Sequence, residues 1–487
     1  MKAILRHSWP AFVLAAVVLL PFLDKAYTID DPIYLREAQH LLTDPLHPMA
    51  FEMVWSSDHR LRASAFLPGG ASVGYLLVPL AFADWQEWAG HLLMLVYFLA
   101  TIAGTATLAH RLGLRPWAQQ AAALLTASAP VALGMAGTVI PDVPATMFGV
   151  WGMERYLVWT RTRRWSVGVV AATLFALAVL TRTNLLVLVV IAGLWRLRQS
   201  WRMALPVVLA GGLILAGFLI TQDPDPTGGT PASTTRWLLR FDRSSYHFRA
   251  LVSAYLLTTP FLAALLTRRR LAEHTVFLWS WLLIPLPTLV YFHFAPKYVL
   301  PALPAVAILA AHGLDGLRQR RSVLAVVVAA GTTLGVLILR ADALMAGAAR
   351  TAATQLIRPR VKAGERVWYA GHLGFHWYAE AAGAVPLAIE PPYPAPGEIV
   401  VSTTVDEPGM LCFLPRVLLE EHGDTRPAGR VMSRRASAGF YSDIYGLWPW
   451  GWAPPDTTPF WVSRVTGTPR GHIDPTIRPA WCGQDSK

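Results

Sequence analysis

The chain has 487 residues and a net charge of +12, and it is 54% hydrophobic but only 15% charged, with a mean hydropathy of +0.40. This composition excludes an ordinary soluble domain and predicts a polytopic membrane protein. The basic balance does not indicate a nucleic-acid partner, and we expect none, because arginines collect in the short loops on one side of a bilayer.

Apolar runs that are long enough to cross a bilayer fill the first 345 residues. The run after Lys2 and Arg6 has the charge and length of a signal peptide, but "DKAY" follows it instead of a small-residue cleavage site, so we interpret it as an uncleaved first span. A spanning helix needs about 20 mainly apolar residues, and on this basis we predict about 11 transmembrane helices. They lie near positions 9–23, 88–110, 118–137, 143–160, 166–181, 183–196, 203–221, 249–267, 274–294, 298–314 and 322–340.

The loop between the first two spans carries two further predicted helices. Asp31 and Pro32 suit a helix start, because Asp is a favoured N-cap and Pro a favoured first helical residue, and this helix would end near Leu42. The run "ASVGYLLVPLAF" at 71–82 is too short to span and predicts an interfacial or re-entrant helix.

Basic residues mark one side of the predicted bundle. When the spans alternate, the basic clusters fall in loops on the same side, and the Lys/Arg bias of short loops places that side in the cytosol. We therefore predict a multi-pass cytoplasmic (inner) membrane protein with its N-terminus inside and residues 346–487 outside. The clusters are Lys2 and Arg6; Arg111 and Arg115; Arg161, Arg163 and Arg164; Arg196, Arg198 and Arg202; Arg268, Arg269 and Arg270; Arg318, Arg320 and Arg321.

The last part of the chain changes character. We predict a transmembrane domain at 1–345 and a small extracytoplasmic α/β domain at 346–487, because segments typical of strands and helices alternate there. The segment 365–389 predicts strand, turn, helix and strand; "GEIVVSTTV" predicts a strand and "LPRVLLEEHG" a helix. Cys412 and Cys482 could pair if this end is outside the cytosol. Trp448, Trp450 and Trp452 favour anchoring at the bilayer interface, with sugar stacking as the alternative.

Ionisable residues from distant parts of the sequence gather on the predicted outer side. Such groups at membrane depth cost roughly 2.5–3.5 kcal/mol on insertion scales, so they tend to be retained for function. The candidates are Asp30, Asp31, Asp142, Arg182, Arg236, Arg240, Arg243, His293, Lys297 and Tyr298.

Several of these candidates have structural alternatives. Capping explains Asp31 without chemistry but leaves Asp30 unexplained, because one carboxylate suffices for a cap. Asp142 could equally be the N-cap of the fourth span, Arg182 could snorkel to the interface, and Lys297 could be an interfacial anchor.

The first outer loop resembles a known family. "DDPIYLREAQHLL" is similar to the D-E-x-x-Y-x-x-x-A-x-x-x-L stretch of the GT-C membrane glycosyltransferases of the family 39 type, which include protein O-mannosyltransferases and lipid A aminoarabinose transferases. Asp30, Asp31, Tyr34 and Ala38 fall on its Asp, acidic, Tyr and Ala positions. "GGASVGYLLVPLAF" lacks the basic residue and Pro pair usual at that place, whereas "IPDVPATM", "LTRTN" and "KYVLPALP" resemble later landmarks in the same order.

The resemblance implies a GT-C-like bundle with interfacial helices over a cavity, a sugar donor on a polyprenyl phosphate or diphosphate, and an acceptor from the outer side or the bilayer. For such a reaction the candidate catalytic residues are Asp30, Asp31 and Asp142: Asp30 could take the proton of the acceptor hydroxyl, and Asp142 could orient the acceptor, hold a metal or be structural. A phosphate leaving group needs fixed positive charge, so the candidates for phosphate binding are Arg182, Arg243 and Lys297, with Tyr298 beside them. Tyr34 and His293 are candidates for substrate contacts.

The partners expected are therefore a polyprenyl-phosphate sugar donor and membrane lipid, with the sugar and the acceptor left open. Metal dependence varies in the superfamily, and no tight ligand cluster argues for a metal, so the cofactor also stays open. The alternative is a lipid or polysaccharide transporter or assembly protein with an outer binding domain. A transporter predicts charges inside the bundle at mid-membrane, whereas nearly all lie at span ends.

Overall fold

A computed structural model describes residues 2–55, 59–66, 72–197, 200–223, 239–267, 274–403 and 409–469. Helices dominate up to Lys362, because a backbone inside lipid must satisfy its own hydrogen bonds. The α-helices are Lys2–Leu19, Asp31–His40, Ala63–Phe66, Val73–Leu77, Glu87–Arg111, Pro116–Ala127, Pro130–Ala136, Asp142–Thr162, Trp165–Thr181, Leu186–Leu197, Leu205–Ile220, Ser244–Thr258, Phe261–Ala264, His274–Ser280, Leu303–Asp315, Arg320–Ala352, Arg358–Lys362 and Gly374–Ala381.

Helical structure occupies each predicted span, although several spans are broken at prolines. The third divides into Pro116–Ala127 and Pro130–Ala136, because proline lacks the N–H that a continuing helix needs. Within the described ranges, four helical segments are long and apolar enough to cross a membrane, by length and composition. These segments are Glu87–Arg111, Trp201–Ile220, Pro296–Asp315 and Arg320–Lys362.

Loops that the sequence places on one side do meet at one end of the bundle. The Arg161 guanidinium donates to the carbonyl oxygen of Arg111 at 2.8 Å. Asp315 pairs with both Arg320 and Arg115, the latter at 3.8 Å. The loops that carry Arg111 and Arg115, Arg161, and Arg320 thus lie next to one another.

An acid inside the fourth predicted span is neutralised locally. Glu154 is fully buried, and its Oε1 accepts from Arg111 Nε at 2.8 Å and from Arg155 Nη2 at 2.8 Å. This arrangement accounts for a charge within an apolar helix, because an intramembrane acid needs a paired cation.

The helix Arg320–Ala352 runs through the predicted boundary at 345/346. A π-helical turn at Ala353–Ile357 joins it to Arg358–Lys362. At 1.5 Å per residue, the 43 residues of Arg320–Lys362 extend about 65 Å, roughly twice the hydrocarbon thickness. The helix is therefore longer than one span requires, and it continues past the predicted boundary into the C-terminal domain.

The strands of the described residues are β1 Glu52–Val54, β2 Arg60–Arg62, β3 Val367–Ala370, β4 Val385–Pro386, β5 Ile399–Thr403, β6 Arg416–Arg426, β7 Gly429–Arg430, β8 Met432–Ser433, β9 Ala438–Gly439, β10 Gly451–Trp452 and β11 Asp456–Val465. The C-terminal domain contains a five-stranded mixed sheet in the order β4-β3-β5-β11-β6. Strand β3 is parallel to β4 and β5, whereas β11 is antiparallel to β5 and β6.

The prediction of a helix over "LPRVLLEEHG" is wrong, because this segment lies in β6. It pairs with β11 in a register that joins Val417 to Arg464 and His422 to Phe460. Tertiary pairing of this kind overrides the local helix propensity of Leu and Glu. Cys412 is disulfide-bonded, and the other cysteine of the sequence, Cys482, lies outside the described residues.

Candidate functional site

The chain turns sharply just before the first interfacial helix. Ile29 adopts a positive φ of 48°, and the helix begins at Asp31 with Asp30 immediately before it. Asp31 Oδ2 accepts from the backbone N–H of Thr28 and Oδ1 from that of Val139, both at 2.8 Å. The interpretation of Asp31 as a helix cap is therefore wrong, since its carboxylate instead ties the helix to the loop before Asp142–Thr162.

Asp31 and Asp30 lie in contrasting environments. Asp31 is fully buried, and this burial raises the pKa of its carboxyl to about 7. The side chain of Asp30 is 28% exposed, and its Oδ2 lies 3.1 Å from Lys297 Nζ, whose side chain is 4% exposed. Burial alone would raise the pKa of Asp30, but the Lys297 ammonium, with smaller contributions from His293 and Arg182, holds it below its usual value.

A second ion pair joins Arg182 to Asp142. Arg182 follows the helix Trp165–Thr181 in an extended conformation, and its Nη2 lies 2.6 Å from Asp142 Oδ2. Asp142 is buried at the start of its own helix and makes no side-chain cap there. The capping alternative for Asp142 is thus wrong, and Arg182 points into protein rather than snorkelling to lipid.

Tyr298 lies between the two cations. The Arg182 guanidinium carbon and Lys297 Nζ each lie 5.9 Å from the centre of its ring, within cation–π range. Its hydroxyl shares a 3.2 Å hydrogen bond with His293 Nε2.

Two other predicted residues border this group at different distances. Tyr34 is nearly buried, and its hydroxyl interacts electrostatically with Arg182, Asp30 and Asp142. Arg243 is more remote, since its Nη1 donates to the carbonyl oxygen of Phe292 at 3.2 Å. Arg236 lies outside the described residues.

The structure adds Glu37, which the sequence reasoning missed. Glu37 is fully buried, its Oε1 accepts from the Gly74 N–H at 3.0 Å, and burial raises the pKa of its carboxyl to about 8. A signal existed, because Asp30, Tyr34 and Glu37 have the four- and three-residue spacing of one helix face.

It also adds Asp443 from the C-terminal domain. The Asp443 N–H donates to the carbonyl oxygen of Phe294 at 2.8 Å, and its Oδ1 accepts from the Phe294 N–H at 3.0 Å. This two-bond clamp fixes the loop that leads from His293 to Lys297. No local signal marked Asp443, because the contact is set by tertiary docking alone.

The described residues contain no group of three or more His, Cys, Asp or Glu side chains placed to hold a metal ion.

No protein-family model matches this sequence, and no curated protein matches it either. Several solved structures do match this chain. The crystal structure of ArnT from Cupriavidus metallidurans in the apo state has a TM-score of 0.57 and 16% identity, over 81% of this chain and 92% of that one. Its structure bound to undecaprenyl phosphate has a TM-score of 0.55 and 15% identity, over the same 81% and 92%.

A crystal structure of the Archaeoglobus fulgidus oligosaccharyltransferase has a TM-score of 0.50 and 12% identity, over 79% of this chain and 64% of that one. Both neighbours are glycosyltransferases of the GT-C superfamily. At these identities the likeness establishes the fold, and this chain has the fold of the GT-C membrane glycosyltransferases.

Proposed function

We propose that this chain is a membrane glycosyltransferase that moves a sugar from a polyprenyl-phosphate donor to an acceptor at the extracytoplasmic surface. The observation that carries the proposal is the convergence of Asp30, Lys297 and Arg182 around Tyr298. An acid beside two fixed cations suits the transfer of a sugar away from a phosphate. The structural likeness to ArnT, which has been solved with undecaprenyl phosphate, supports the class of donor.

Asp30 is the proposed general base. Its depressed pKa keeps the carboxylate ionised at neutral pH, and its partly exposed side chain leaves an oxygen within reach of an acceptor hydroxyl. A positioned base contributes typically 10²–10⁴ in rate. Asp31, with both oxygens engaged by backbone N–H groups, is assigned the role of holding Asp30 in place.

Lys297 and Arg182 are the proposed partners of the donor phosphate. A phosphate leaving group needs preorganised positive charge as its own negative charge develops. Arg182 gives one Nη to Asp142, while its Nε is buried and has no hydrogen-bond partner in the described part of the chain. That donor suits a phosphate oxygen, and Asp142 orients the guanidinium fork. Tyr298 supports both cations, and Arg243 borders the site beside the loop that carries His293.

The extracytoplasmic location of the site is part of the proposal. The basic clusters at the opposite end of the bundle favour a cytosolic position for that end. Cys412 is disulfide-bonded, which suits an oxidising compartment for the C-terminal domain.

The test uses purified full-length protein in lipid nanodiscs with a panel of radiolabelled polyprenyl-phosphate sugars, and it measures label released from the lipid. We expect wild type to release label from at least one donor and Asp30→Asn to be slower by about 10²–10⁴. Asp44→Asn is the matched control, since Asp44 lies in the same loop and contacts His47. Equal rates for wild type and Asp30→Asn would remove Asp30 as the base. In proteoliposomes, flux of intact donor across the bilayer without release of label would favour the transporter instead.

A further inference from the structure

A cavity of about 250 Å³ lies between the long helix Arg320–Ala352 and the C-terminal domain. Its walls are apolar on both sides, and three arginines of the C-terminal domain also line it. The helix contributes Ala341, Leu344 and Met345, the domain contributes Val431, Met432 and Phe460, and the arginines are Arg426, Arg430 and Arg434.

Arg430 is a buried arginine with unused donors. Its side chain is 6% exposed, and its Nη2 donates to Asp456 Oδ1 at 2.5 Å and to the carbonyl oxygen of Pro454 at 3.4 Å. Its Nε and Nη1 are buried and have no hydrogen-bond partner among the residues that the structure describes. Buried donors without partners are rare and unfavourable, so an oxygen-bearing ligand would satisfy them.

The charge around the cavity is positive. Arg426 donates from its Nε to the Thr458 hydroxyl, and burial together with the charge of Arg430 lowers its pKa. Arg434 is exposed at the edge of the cavity, and the described lining residues include no Asp or Glu. With Asp456 as the carboxylate partner of Arg430, the three arginines leave an excess of positive charge for an anion.

The height of the cavity points to a lipid headgroup. Ala341 follows Arg320 by 21 residues, which corresponds to about 31 Å along an α-helix and matches the roughly 30 Å hydrocarbon thickness of a bilayer. The Leu344 side chain is 45% exposed beside the cavity, as expected where a wall meets acyl chains. A free phosphate has no acyl chains, so a site for it would need neither a position at the edge of the hydrocarbon layer nor apolar walls.

We propose that this cavity binds the phosphate headgroup of an anionic lipid, with Arg430 as its buried anchor and Arg426 and Arg434 as supporting cations. The cavity reaches the first loop at Thr28, whose N–H donates to Asp31, but Asp30, Arg182 and Lys297 do not line it. The inference does not depend on the proposed transferase activity. A cavity of about 250 Å³ accommodates a headgroup and leaves the acyl chains in the bilayer along the helix Arg320–Ala352.

The test measures dissociation constants by isothermal titration with the full chain in detergent. The probes are dihexanoyl phosphatidic acid, dihexanoyl phosphatidylcholine and inorganic phosphate. We expect phosphatidic acid to bind most tightly and Arg430→Met to weaken it by about 10- to 100-fold, the usual loss for charge-assisted hydrogen bonds. Arg435→Met is the matched control, because Arg435 is an exposed neighbour that does not line the cavity. The affinity of this variant for phosphatidic acid should stay within twofold of the wild-type value.

Two further variants keep the test decisive. Met345→Trp fills the cavity from the helix side without changing a charge and should also weaken phosphatidic acid at least tenfold. Lys297→Ala should leave this affinity unchanged, because Lys297 belongs to the other site. Unchanged binding in both Arg430→Met and Met345→Trp would overturn the proposal. Inorganic phosphate binding as tightly as phosphatidic acid would overturn the lipid assignment, and a loss with Lys297→Ala would place the lipid in the other site.

Discussion

Replacing Lys297 by methionine separates its electrostatic role from membrane anchoring. Its Nζ lies 3.1 Å from Asp30 Oδ2. At an effective dielectric constant of about 20, this separation corresponds to an attraction of about 5 kcal/mol, an upper bound. Because the Asp30 side chain is 28% exposed, solvent screening reduces this attraction to about 2 kcal/mol.

The direction of the change follows from the charge removed. Lys297 holds the pKa of Asp30 down, so Lys297→Met raises it, and the acidic limb of the pH–rate profile should move to higher pH. On the plateau above the acidic limb, the remaining loss should be a weaker interaction with the donor phosphate, seen as a KM raised about tenfold.

The assay is initial release of label from the polyprenyl-phosphate sugar between pH 4 and 8, at several donor concentrations. Lys362→Met is the control, since Lys362 is an exposed lysine at the end of a helix outside the bundle. It should leave both the KM and the acidic limb unchanged. If Lys297→Met also leaves both unchanged, Lys297 is only an interfacial anchor and the electrostatic reasoning is refuted.

Three more substitutions test the surroundings of Asp30. The pKa of Glu37 is about 8 in the folded chain against 4.5 for the free side chain, so folding stability falls as pH rises between these values, by about 3 kcal/mol at pH 7. Glu37→Gln should therefore show a Tm that is flatter with pH than that of wild type, measured by tryptophan fluorescence between pH 5 and 8. Asp31→Asn puts a second donor against the N–H of Thr28 or Val139, and it should cost about 1–3 kcal/mol of stability without moving the acidic limb. Asp443→Ala removes the oxygen that accepts from the Phe294 N–H, and it should lower kcat more than it raises KM if the clamp on the loop before Lys297 sets catalytic geometry; an equal Tm and equal kinetics would contradict that.

Much of the membrane domain could be predicted from the sequence because its signals are local. An apolar run of sufficient length has few alternatives to a helix, and the loops with arginines were predicted to lie together, as Arg111, Arg115 and Arg161 do at one end. The candidate acids and cations at the other end also converge, since Asp30 contacts Lys297 and Asp142 contacts Arg182. The order of these segments along the chain and the side of the membrane predicted for each loop were enough to predict this convergence.

The sequence could not indicate what depends on packing between distant segments. Asp31 fits the pattern of an N-cap, but whether its carboxylate turns to its own helix or to Val139 is decided by how the two helices meet. Strand β6 is helix-like in composition, and its pairing with β11 becomes evident only when the domain is assembled. The sequence does not indicate the full length of the helix that begins at Arg320, because the second half of this helix is too polar to be recognised as a span.

The placement of the C-terminal domain changes how the site should be understood. Lys25 Nζ lies 2.9 Å from Asp342 Oδ2, and the Tyr441 hydroxyl donates to the same oxygen at 2.7 Å, so a buried network joins the first loop, the long helix and the C-terminal domain. Lys25 also donates to the carbonyl oxygen of Gly137 at 2.8 Å, two residues before Val139, whose N–H donates to Asp31. Together with the clamp from Asp443, these contacts hold both sides of the Asp30–Lys297 pair from outside the bundle. The C-terminal domain is therefore a structural part of the candidate site, because residues that could not be rigid in an isolated loop are fixed by it.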